Sequence, residues 1–260
     1  MRALSIASTG MLAQQTNVDV ISNNIANMNT TGFKRQRAEF QDLLYQQQTR
    51  PGAATAEESR APSGIQIGSG VKTGSIYRVL QQGSLTQTEN PLDVAIQGRG
   101  YFQITLPTGE TAYTRDGSFQ ISDQGELVTA DGFAVQPGIT IPAEAIDVSI
   151  SKTGQVQIKV AGDPQPQTVG QLEVATFLNE SGLEAQGSNL FLETAASGQP
   201  NVGTPGDTGF GTVQQGFVEA SNVNPVAEIT ALISAQRAYE MNSRVVKTAD
   251  EMLATTSQLR

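Results

Sequence analysis

Residues 4–28 of this 260-residue chain read LSIASTGMLAQQTNVDVISNNIANM, with apolar side chains at alternating intervals of three and four. This spacing places the side chains on one stripe of an α-helix, as in the seam of a coiled coil. The stripe therefore predicts an N-terminal helix that packs along one face. Its members, all apolar except Gln14, are Leu4, Ala7, Met11, Gln14, Val18, Ile21, Ile25 and Met28.

The N-terminal helix is almost free of charge. Between residues 3 and 33 the one charged side chain is Asp19, and the other polar positions carry amides and hydroxyls. A surface helix of a monomer normally carries Lys and Glu on its wet face, so this polar face is predicted to be covered as well. Polar residues at 27–32 end the helix, where Gly32 can take a left-handed conformation.

A second helical stripe lies at the other end of the chain. Asn224 is suited to the N-cap, Pro225 to the first helical position and Glu228 to the positive end of the helix dipole. The packing residues that follow fill an arc of about 100° on a helical wheel. They are Ala231, Leu232, Ala235, Ala238, Tyr239, Asn242, Val245, Val246, Ala249, Met252, Leu253 and Leu259.

The outer face of this C-terminal helix carries a stripe of charges of both signs. Glu240 and Arg244 stand in the favourable i,i+4 order. One face of the helix is therefore predicted to pack, while the other meets water or a channel. The stripe consists of Arg237, Glu240, Arg244, Lys247 and Glu251.

Two arrangements fit the terminal stripes. They can pair with each other inside one compact monomer, or they can mediate the assembly of several chains. The uncharged N-terminal helix favours assembly, because a simple pair of helices leaves its amide face in water without evident reason. The monomeric pair stays open as the alternative.

From about residue 76 the hydrophobic period changes from helical to two, which is typical of β-strands. Alternation occurs at residues 94–96, 101–106, 119–121, 148–150, 156–160 and 172–177. No helical crossover separates these strands, so an antiparallel barrel or sandwich is predicted. Turn pairs with a glycine expected at positive φ are Asp116-Gly117, Gln124-Gly125, Asp131-Gly132 and Thr153-Gly154.

The predicted fold class is α+β with several regions. The N- and C-terminal helices, residues 1–45 and 217–260, form a coiled-coil-like core domain, in which residues 33–48 continue as a second helical stretch. Residues 46–75, rich in Ala, Ser, Gly and Pro, form an extended arm. Residues 76–216 form the central all-β domain, with a return linker at about 195–216.

Composition excludes several classes of function. The net charge is −9, and the chain has no Cys, His or Trp, so the commonest zinc ligands and general base are missing. Clustered basic residues for nucleic acid are also missing. No apolar run near the N-terminus is long enough for a secretory signal or a membrane span. Most familiar catalytic constellations are excluded, although carboxylate, Ser, Thr, Lys or Tyr chemistry stays possible. We expect no metal or other cofactor, no nucleic-acid partner and no membrane insertion.

Three local motifs have weak functional alternatives. Gln97-Gly98-Arg99-Gly100 lacks the third glycine of a dinucleotide loop and predicts a β-turn. The basic cluster at residues 34–37 predicts a solvated helix end rather than a phosphate site. A secreted cell-wall enzyme with a glycan-cleaving carboxylate pair is the alternative of a different class. Its candidate carboxylates, which stand in turns where Asp is common, are Asp116, Asp123, Glu126 and Asp131.

Both ends of the chain carry a family resemblance. TGMLAQQTNVDVISNNIAN at residues 9–27, followed by TGFK at 31–34, resembles the rod and hook signature of bacterial flagella. EASNV at residues 219–223 and AQRAYEMNS at 235–243 resemble the matching C-terminal signature. The chain is thus similar to the flagellar rod and hook axial proteins. Within that family it is most similar to distal rod subunits along nearly its whole length.

The resemblance implies a structural subunit of the distal rod, and therefore no enzymatic activity. Such a subunit self-assembles into a rigid tubular drive shaft that transmits motor torque to the hook across the periplasm and outer membrane. The implied partners are further copies of the chain, proximal rod proteins, the hook protein, the P-ring and L-ring proteins and the flagellar type III export apparatus. The implied location is the basal body, reached without a cleaved signal peptide. A proximal rod or hook-like subunit is the alternative, and the arm argues against it.

In such a tube the C-terminal helix is expected to line the lumen with its charged stripe, while the N-terminal helix packs outside it. The arm is expected to wedge between neighbouring subunits. The predicted assembly interface consists of Leu4, Met11, Val18, Ile21, Ile25, Met28, Leu232, Tyr239, Val245, Val246, Met252, Leu253 and Leu259.

Overall fold

The computed structural model describes residues 2–49, 63–161 and 165–258. Over these ranges it contains two α-helices, near the two ends of the chain, and twenty β-strands between them. The prediction of an α+β chain is therefore confirmed. The described residues group into a helical unit, formed by residues 2–26, 36–49, 63–78 and 224–258, and a β unit, formed by residues 27–35, 79–161 and 165–223.

The helical unit contains two long helices and four short strands. These elements are α1 Arg2–Ala26, β1 Gln36–Asp42, β2 Tyr45–Thr49, β3 Ile65–Gly68, β4 Val71–Arg78 and α2 Pro225–Gln258. β1 pairs antiparallel with β4, and β2 pairs antiparallel with β3. α1 packs against α2, β1 and β4.

The ends of both helices follow the sequence signals. The Asn224 side-chain oxygen accepts hydrogen bonds from the backbone N–H groups of Val226 and Ala227 at 3.1 and 3.2 Å, which confirms the predicted N-cap. After α1, Gly32 has a φ of 70°, the left-handed conformation expected for it.

The two helices approach closely because small residues line their contact. A Cβ atom on Gly10 would lie 2.9 Å from the Asn242 side-chain nitrogen. On α2, Ala235 and Ala249 are buried. The buried face of α1 is wider than the predicted stripe and consists of Ala7, Ala13, Val20, Ile21 and Asn24.

Asn24 fastens α1 to two other parts of the helical unit. Its side-chain nitrogen donates to the Gln36 carbonyl at 2.8 Å and to the Glu228 carboxylate at 3.1 Å. The backbone N–H of Gln36 donates to the Asn24 side-chain oxygen at 2.8 Å. Asn24 and Glu228 are each 1% exposed, so these bonds replace hydration that both groups lose on burial.

The second helical stretch predicted at residues 33–48 is wrong, because β1 and β2 occupy it. Along β1 half-buried and exposed residues alternate from residue 36 to residue 41, which is the period of a strand. Its partner β4 begins about thirty positions later in the chain, where local sequence patterns give no sign of the pairing. The predicted arm at residues 46–75 contains β2, β3 and part of β4, and its residues 50–62 lie outside the described part of the chain.

The β unit is built from antiparallel strands, as the period-two pattern predicts. These are β5 Leu85–Gln87, β6 Val94–Gln97, β7 Tyr101–Thr105, β8 Thr111–Thr114, β9 Gln120–Ile121, β10 Leu127–Val128, β11 Ala134–Val135, β12 Ala145–Ile150, β13 Gln155–Val160, β14 Gln167–Gln171, β15 Val174–Thr176, β16 Glu184–Gly187, β17 Leu190–Leu192, β18 Asn201–Gly203, β19 Thr212–Gln215 and β20 Phe217–Glu219.

The largest sheet of the β unit has nine strands. Its main path runs β16-β17-β8-β7-β11-β10-β9, and β15 pairs with both β7 and β18. β12, β13 and β14 form a three-stranded sheet, while β19 pairs with β6 and β20 with β5. The central strand β7 is buried on both faces, because Phe102 and Ile104 enter the main core while Tyr101 enters a second aromatic cluster.

Most of the predicted turns form with the expected geometry. Gly125, Gly132 and Gly154 have φ values of 84°, 83° and 83°. Gly117 differs from these three glycines, because its φ is not positive. A Cβ at Gly117 would lie 1.7 Å from the Val94 carbonyl oxygen, so close backbone approach is what requires glycine there.

A buried carboxylate joins distant segments of the β unit. Glu219, 1% exposed, accepts a hydrogen bond from Lys34 Nζ at 2.5 Å and one from the backbone N–H of Gly83 at 3.0 Å. Its second oxygen accepts from Arg115 Nε at 2.5 Å. The backbone N–H of Gly32 donates to the Glu219 carbonyl at 2.8 Å. One residue thus holds two buried cations and two backbone segments.

Asn222 holds the same segments with a neutral side chain. Its oxygen accepts from the backbone N–H of Arg35 at 2.6 Å, and its nitrogen donates to the carbonyls of Val79 and Gln81 at 2.9 and 2.8 Å. Both Glu219 and Asn222 belong to the EASNV motif. This motif therefore has a definite structural role inside the β unit.

The basic cluster at residues 34–37 does not form a solvated helix end. Lys34 is 6% exposed and donates to both Glu219 and the Gln81 carbonyl. The sequence gives no sign of this role, because Glu219 lies 185 positions away. Burial lowers the pKa of Lys34, and the neighbouring Glu219 charge offsets only part of that effect.

Asn24→Ala tests the hydrogen bonds that join α1 to β1 and α2. Because the buried Asn24 side chain loses three hydrogen bonds, we expect the free energy of unfolding of the helical unit to fall by about 2–4 kcal/mol. Urea titration followed by far-ultraviolet circular dichroism measures the loss. The matched control Ser22→Ala, on the exposed face of α1, should change stability by less than about 0.5 kcal/mol. Equal losses in the two variants would contradict the assignment.

Glu219→Gln tests the buried ion cluster. Burial by itself raises the pKa of Glu219, but the charges of Arg115 and Lys34 more than offset it, so the pKa lies below its usual value of 4.5. A carboxyl with a depressed folded-state pKa stabilises the fold above about pH 4.5, and that contribution is lost as the pH falls through the folded pKa. The variant should lose roughly 3–5 kcal/mol at neutral pH, because two buried cations lose their counter-charge.

The pH profile separates this cluster from general acid sensitivity. We expect the stability of the wild-type protein to fall more steeply below about pH 4.5 than that of Glu219→Gln, in urea titrations across the acid range. Glu144→Gln, at an exposed position of the β unit, is the control and should keep the wild-type profile. Parallel profiles for wild type and Glu219→Gln would refute the role of Glu219.

Candidate assembly site

The predicted assembly residues of α1 are mostly covered within the helical unit. Ile21 is buried on the face that meets the rest of this unit. Met28 is 39% exposed and follows the end of α1, in the β unit. The half-buried members are Leu4, Met11, Val18 and Ile25.

The predicted assembly residues of α2 divide into two groups. Leu232 and Val246 are half-buried and lie in line with the buried alanines. The others remain open to solvent although α1 already packs against α2. Leu259 lies outside the described residues. The exposed members are Tyr239 at 45%, Val245 at 48%, Met252 at 58% and Leu253 at 45%.

The charged stripe of α2 is fully on the exposed side of the helix. It lies opposite the alanine-rich face, as the helical wheel predicts. None of the five side chains forms an ion pair with another described residue. These exposed residues are Arg237, Glu240, Arg244, Lys247 and Glu251.

The same column of α2 begins with apolar residues that the sequence analysis missed. Val226, Ile229 and Ile233 precede Arg237 at the same spacing of three and four and are 75%, 49% and 45% exposed. The spacing of three and four, followed from Arg237 toward the start of the helix, predicts them from the sequence. One face of α2 therefore changes from apolar to charged along its length.

The exposed face of α1 is nearly uncharged, as its composition suggests. Leu12 is 62% exposed at its middle, and Asp19 is its one charged residue among the described positions after Arg2. A 25-residue helix normally has a charged solvent face, so this surface resembles one that another molecule covers. The exposed column consists of Ser5, Ser8, Leu12, Gln15, Asp19, Ser22 and Ala26.

The strand pair β2–β3 adds a third open surface to the helical unit. It is a two-stranded sheet, so each strand has an edge without a strand partner among the described residues. Isolated pairs of this kind are marginally stable in water. Exposed apolar side chains accompany it: Leu44 at 86%, Tyr45 at 55%, Ile65 at 54% and Ile67 at 37%.

The motifs with weak enzymatic alternatives have structural roles. The loop between β6 and β7 is a turn in which Gly98 and Gly100 have φ values of 108° and 141°. Asp116, one of the candidate carboxylates, accepts hydrogen bonds from the Ser118 backbone and from the Asn189 side chain at 3.0 and 3.1 Å. Neither helix, over its described residues, is long and apolar enough to span a membrane.

Three family models match successive parts of the chain. Residues 4–34 match the flagella basal body rod protein model, and residues 95–158 match the D1 domain of the flagellar hook protein FlgE/F/G. Residues 214–259 match the C-terminal model of the flagellar basal body rod FlgEFG proteins. The two terminal matches include α1 and α2, the helices that carry the open surfaces.

Relatives match the chain over its full length. It is 64% identical to the flagellar basal-body rod protein FlgG of Caulobacter vibrioides, over 100% of both chains. It is 52% identical to that of Agrobacterium fabrum over 99% of both, and 40% identical to that of Bacillus subtilis over 100% of this chain and 99% of the relative. The chain belongs to the flagellar basal-body rod protein family, as a structural subunit of the rod rather than an enzyme.

Proposed function

We propose that this chain is a distal rod subunit that self-assembles through its terminal helices into a rigid tubular drive shaft carrying motor torque to the hook. The observation that carries the proposal is apolar surface left open on paired helices. α1 and α2 already cover one face of each other, yet several large apolar side chains of α2 stay exposed. Soluble monomers rarely keep such a surface, whereas subunits that associate use it.

Neighbouring subunits would cover the exposed half of the interface. Tyr239, Val245 and Met252 flank the α1-facing stripe of α2. The exposed column of α1 carries one charge, Asp19, so covering it desolvates little full charge. The two surfaces differ, so a contact between them is heterologous and can continue into an open helical polymer. The buried members of the set, such as Ile21, would hold each helix pair together.

The charged stripe of α2 would line the lumen of the tube. Charges of both signs without ion pairs among the described residues are costly to bury, so this face needs water after assembly. In a tube whose outer helical surfaces meet neighbours, the inner channel supplies that water. α1 would then pack outside α2, and Leu259 would extend the interface of α2 toward the chain end.

The arm at residues 46–75 would stiffen the rod. The exposed apolar residues of β2 and β3 and the unpaired edges of these strands suit insertion between neighbouring subunits. An inserted element opposes sliding of one subunit past another. In this role the arm would have the extended conformation that the sequence predicts.

The remaining partners follow from the resemblance to distal rod subunits. The rod would join the proximal rod proteins to the hook protein and pass the P-ring and L-ring proteins between the periplasm and the outer membrane. Subunits would reach the growing end through the flagellar type III export apparatus, without a cleaved signal peptide. The names of the relatives, which place them in the basal-body rod, support this location.

The double variant Val245→Glu, Met252→Glu tests the assembly surface. Both side chains are about half exposed, so the monomer should keep its helical circular dichroism. Burying either new carboxylate between subunits costs well over about 1.4 kcal/mol, so the critical concentration for polymer should rise at least roughly tenfold. Sedimentation and negative-stain electron microscopy of concentrated protein measure this change.

The control variant removes a charge from the opposite face of the same helix. Lys247→Gln, in the proposed lumen stripe, should assemble at the wild-type concentration. Deletion of residues 1–30, which removes α1, should abolish assembly in the same assay. Tubes formed by the deletion variant, or by the double variant at the wild-type concentration, would refute assembly through the terminal helices.

Deletion of residues 47–69 tests the arm. We expect assembly to persist, because α1 and α2 are intact, but the rods should become curved or flexible. The persistence length, measured from electron micrographs, reports the change. Straight rods of wild-type stiffness would rule out the stiffening role while leaving assembly through the helices untouched.

A further inference from the structure

We infer that the β unit carries a binding site for an arginine side chain of a partner protein, in a groove beside β8 and β17. The groove has a volume of about 410 Å³ and is lined by Glu110, Thr111, Tyr113, Leu192 and Glu193. The site lies in the β unit and is independent of assembly through the helices.

Strand pairing brings these side chains together. Tyr113 of β8 lies opposite Phe191 of β17 in the antiparallel register. Side chains two positions apart on a strand share a face, so Thr111 lies on the same side of β8 as Tyr113. Glu193 directly follows β17 and lines the groove. Glu110 precedes β8 directly. Two carboxylates from distant parts of the sequence therefore flank one tyrosine.

Tyr113 is held firmly but has no partner for its hydroxyl. It is 3% exposed, and its ring packs edge-to-face on Phe177 with a centroid distance of 4.8 Å. No described residue forms a hydrogen bond with its hydroxyl, whereas a buried tyrosine normally has such a partner. A ligand that reaches the groove gains this hydrogen bond without any rearrangement of the ring.

The two carboxylates are likewise available. Glu110 and Glu193 are exposed, and neither forms an ion pair with another described residue. Burial, and next the Glu193 charge, raise the pKa of Tyr113, which places that carboxylate within electrostatic reach of the phenol. A cation in the groove would relieve the repulsion between these negative groups.

The β unit does not provide the missing positive charge itself. Its sequence, residues 27–35 and 79–223, contains 16 acidic and 6 basic residues, a net charge of −10. The helical unit therefore accounts for +1 of the total of −9. Of the basic residues, Lys34 and Arg115 are buried on Glu219, and Arg99 pairs with Glu180 at 3.0 Å. None of the six basic residues of the β unit lines the groove.

Arginine matches the groove better than lysine does. Its planar guanidinium has five N–H donors, which serve two carboxylates and a phenol oxygen at the same time. The aliphatic stem of arginine also suits the apolar surface of Leu192. A lysine ammonium is a compact, strongly hydrated charge and uses fewer of these features.

The test follows Tyr113 directly in the full-length protein. The chain has five tyrosines, so 3-fluorotyrosine labelling gives a simple fluorine NMR spectrum in which Tyr113→Phe identifies one signal. We expect N-acetyl-arginine methylamide, titrated at constant ionic strength, to shift this signal saturably. The uncharged citrulline analogue and the lysine analogue should each bind at least roughly tenfold more weakly.

Variants locate the effect. Glu110→Gln and Glu193→Gln, both at exposed positions that leave folding intact, should each weaken binding about tenfold. Glu144→Gln removes a charge elsewhere in the β unit and should bind like wild type. The inference is overturned by a shift that does not saturate, by equal binding of the citrulline or lysine analogue, or by unchanged binding in both groove variants.

Discussion

The order of the β unit depends on the hydrogen bonds and ion pairs that the Glu219 carboxylate accepts. The chain passes between the two units through three segments, at residues 27–35, at residues 79–83 and after residue 219. Lys34 of the first segment and Gly83 of the second donate to this carboxylate, and the third segment begins at Glu219 itself. The backbone N–H of Gly32, also in the first segment, donates to the Glu219 backbone carbonyl. Asn222 joins the same segments a second time. The backbone of these three segments is therefore held at both Glu219 and Asn222.

A buried charge cluster is suited to holding these segments, because the fold loses much of its stability when one charged side chain is removed. An ion pair in the interior adds little net stability over apolar packing, but removing one partner leaves an uncompensated charge. Glu219 has two cationic partners, and Arg115 also donates to three backbone carbonyls, those of Ile96, Gly98 and Gly100. The cluster thus favours one arrangement of the connecting segments over others.

Local patterns predicted the elements of this chain but not their long-range partners. The stripe at residues 4–28 and the cap at Asn224 foretold both helices, and the period of two foretold the antiparallel strands. The strand β1 was missed because its partner β4 is remote in sequence and its own residues also fit a helix. Lys34 and Asn24 were missed as buried groups for the same reason, since the residues that satisfy them lie 185 and 204 positions away. The terminal helices show how far the sequence predicts the candidate assembly site. Their apolar residues were predicted, but the coordinates are needed to tell which of those on α2 are covered by α1 and which are exposed.

The net negative charge lies in the β unit. In the proposed rod this favours contacts between helical units over contacts between β units. The helical unit is nearly neutral, so its association meets little electrostatic opposition, whereas β units with a net charge of −10 repel one another. At physiological ionic strength this repulsion extends over about 8 Å and therefore acts mainly between surfaces in near contact. Copies of the chain then gain more by packing their helices than by packing their β units. In such a rod the acidic surfaces, including the groove at Tyr113, would remain available to a partner of opposite charge, and the proposed self-association and the proposed recognition of another protein would use different surfaces.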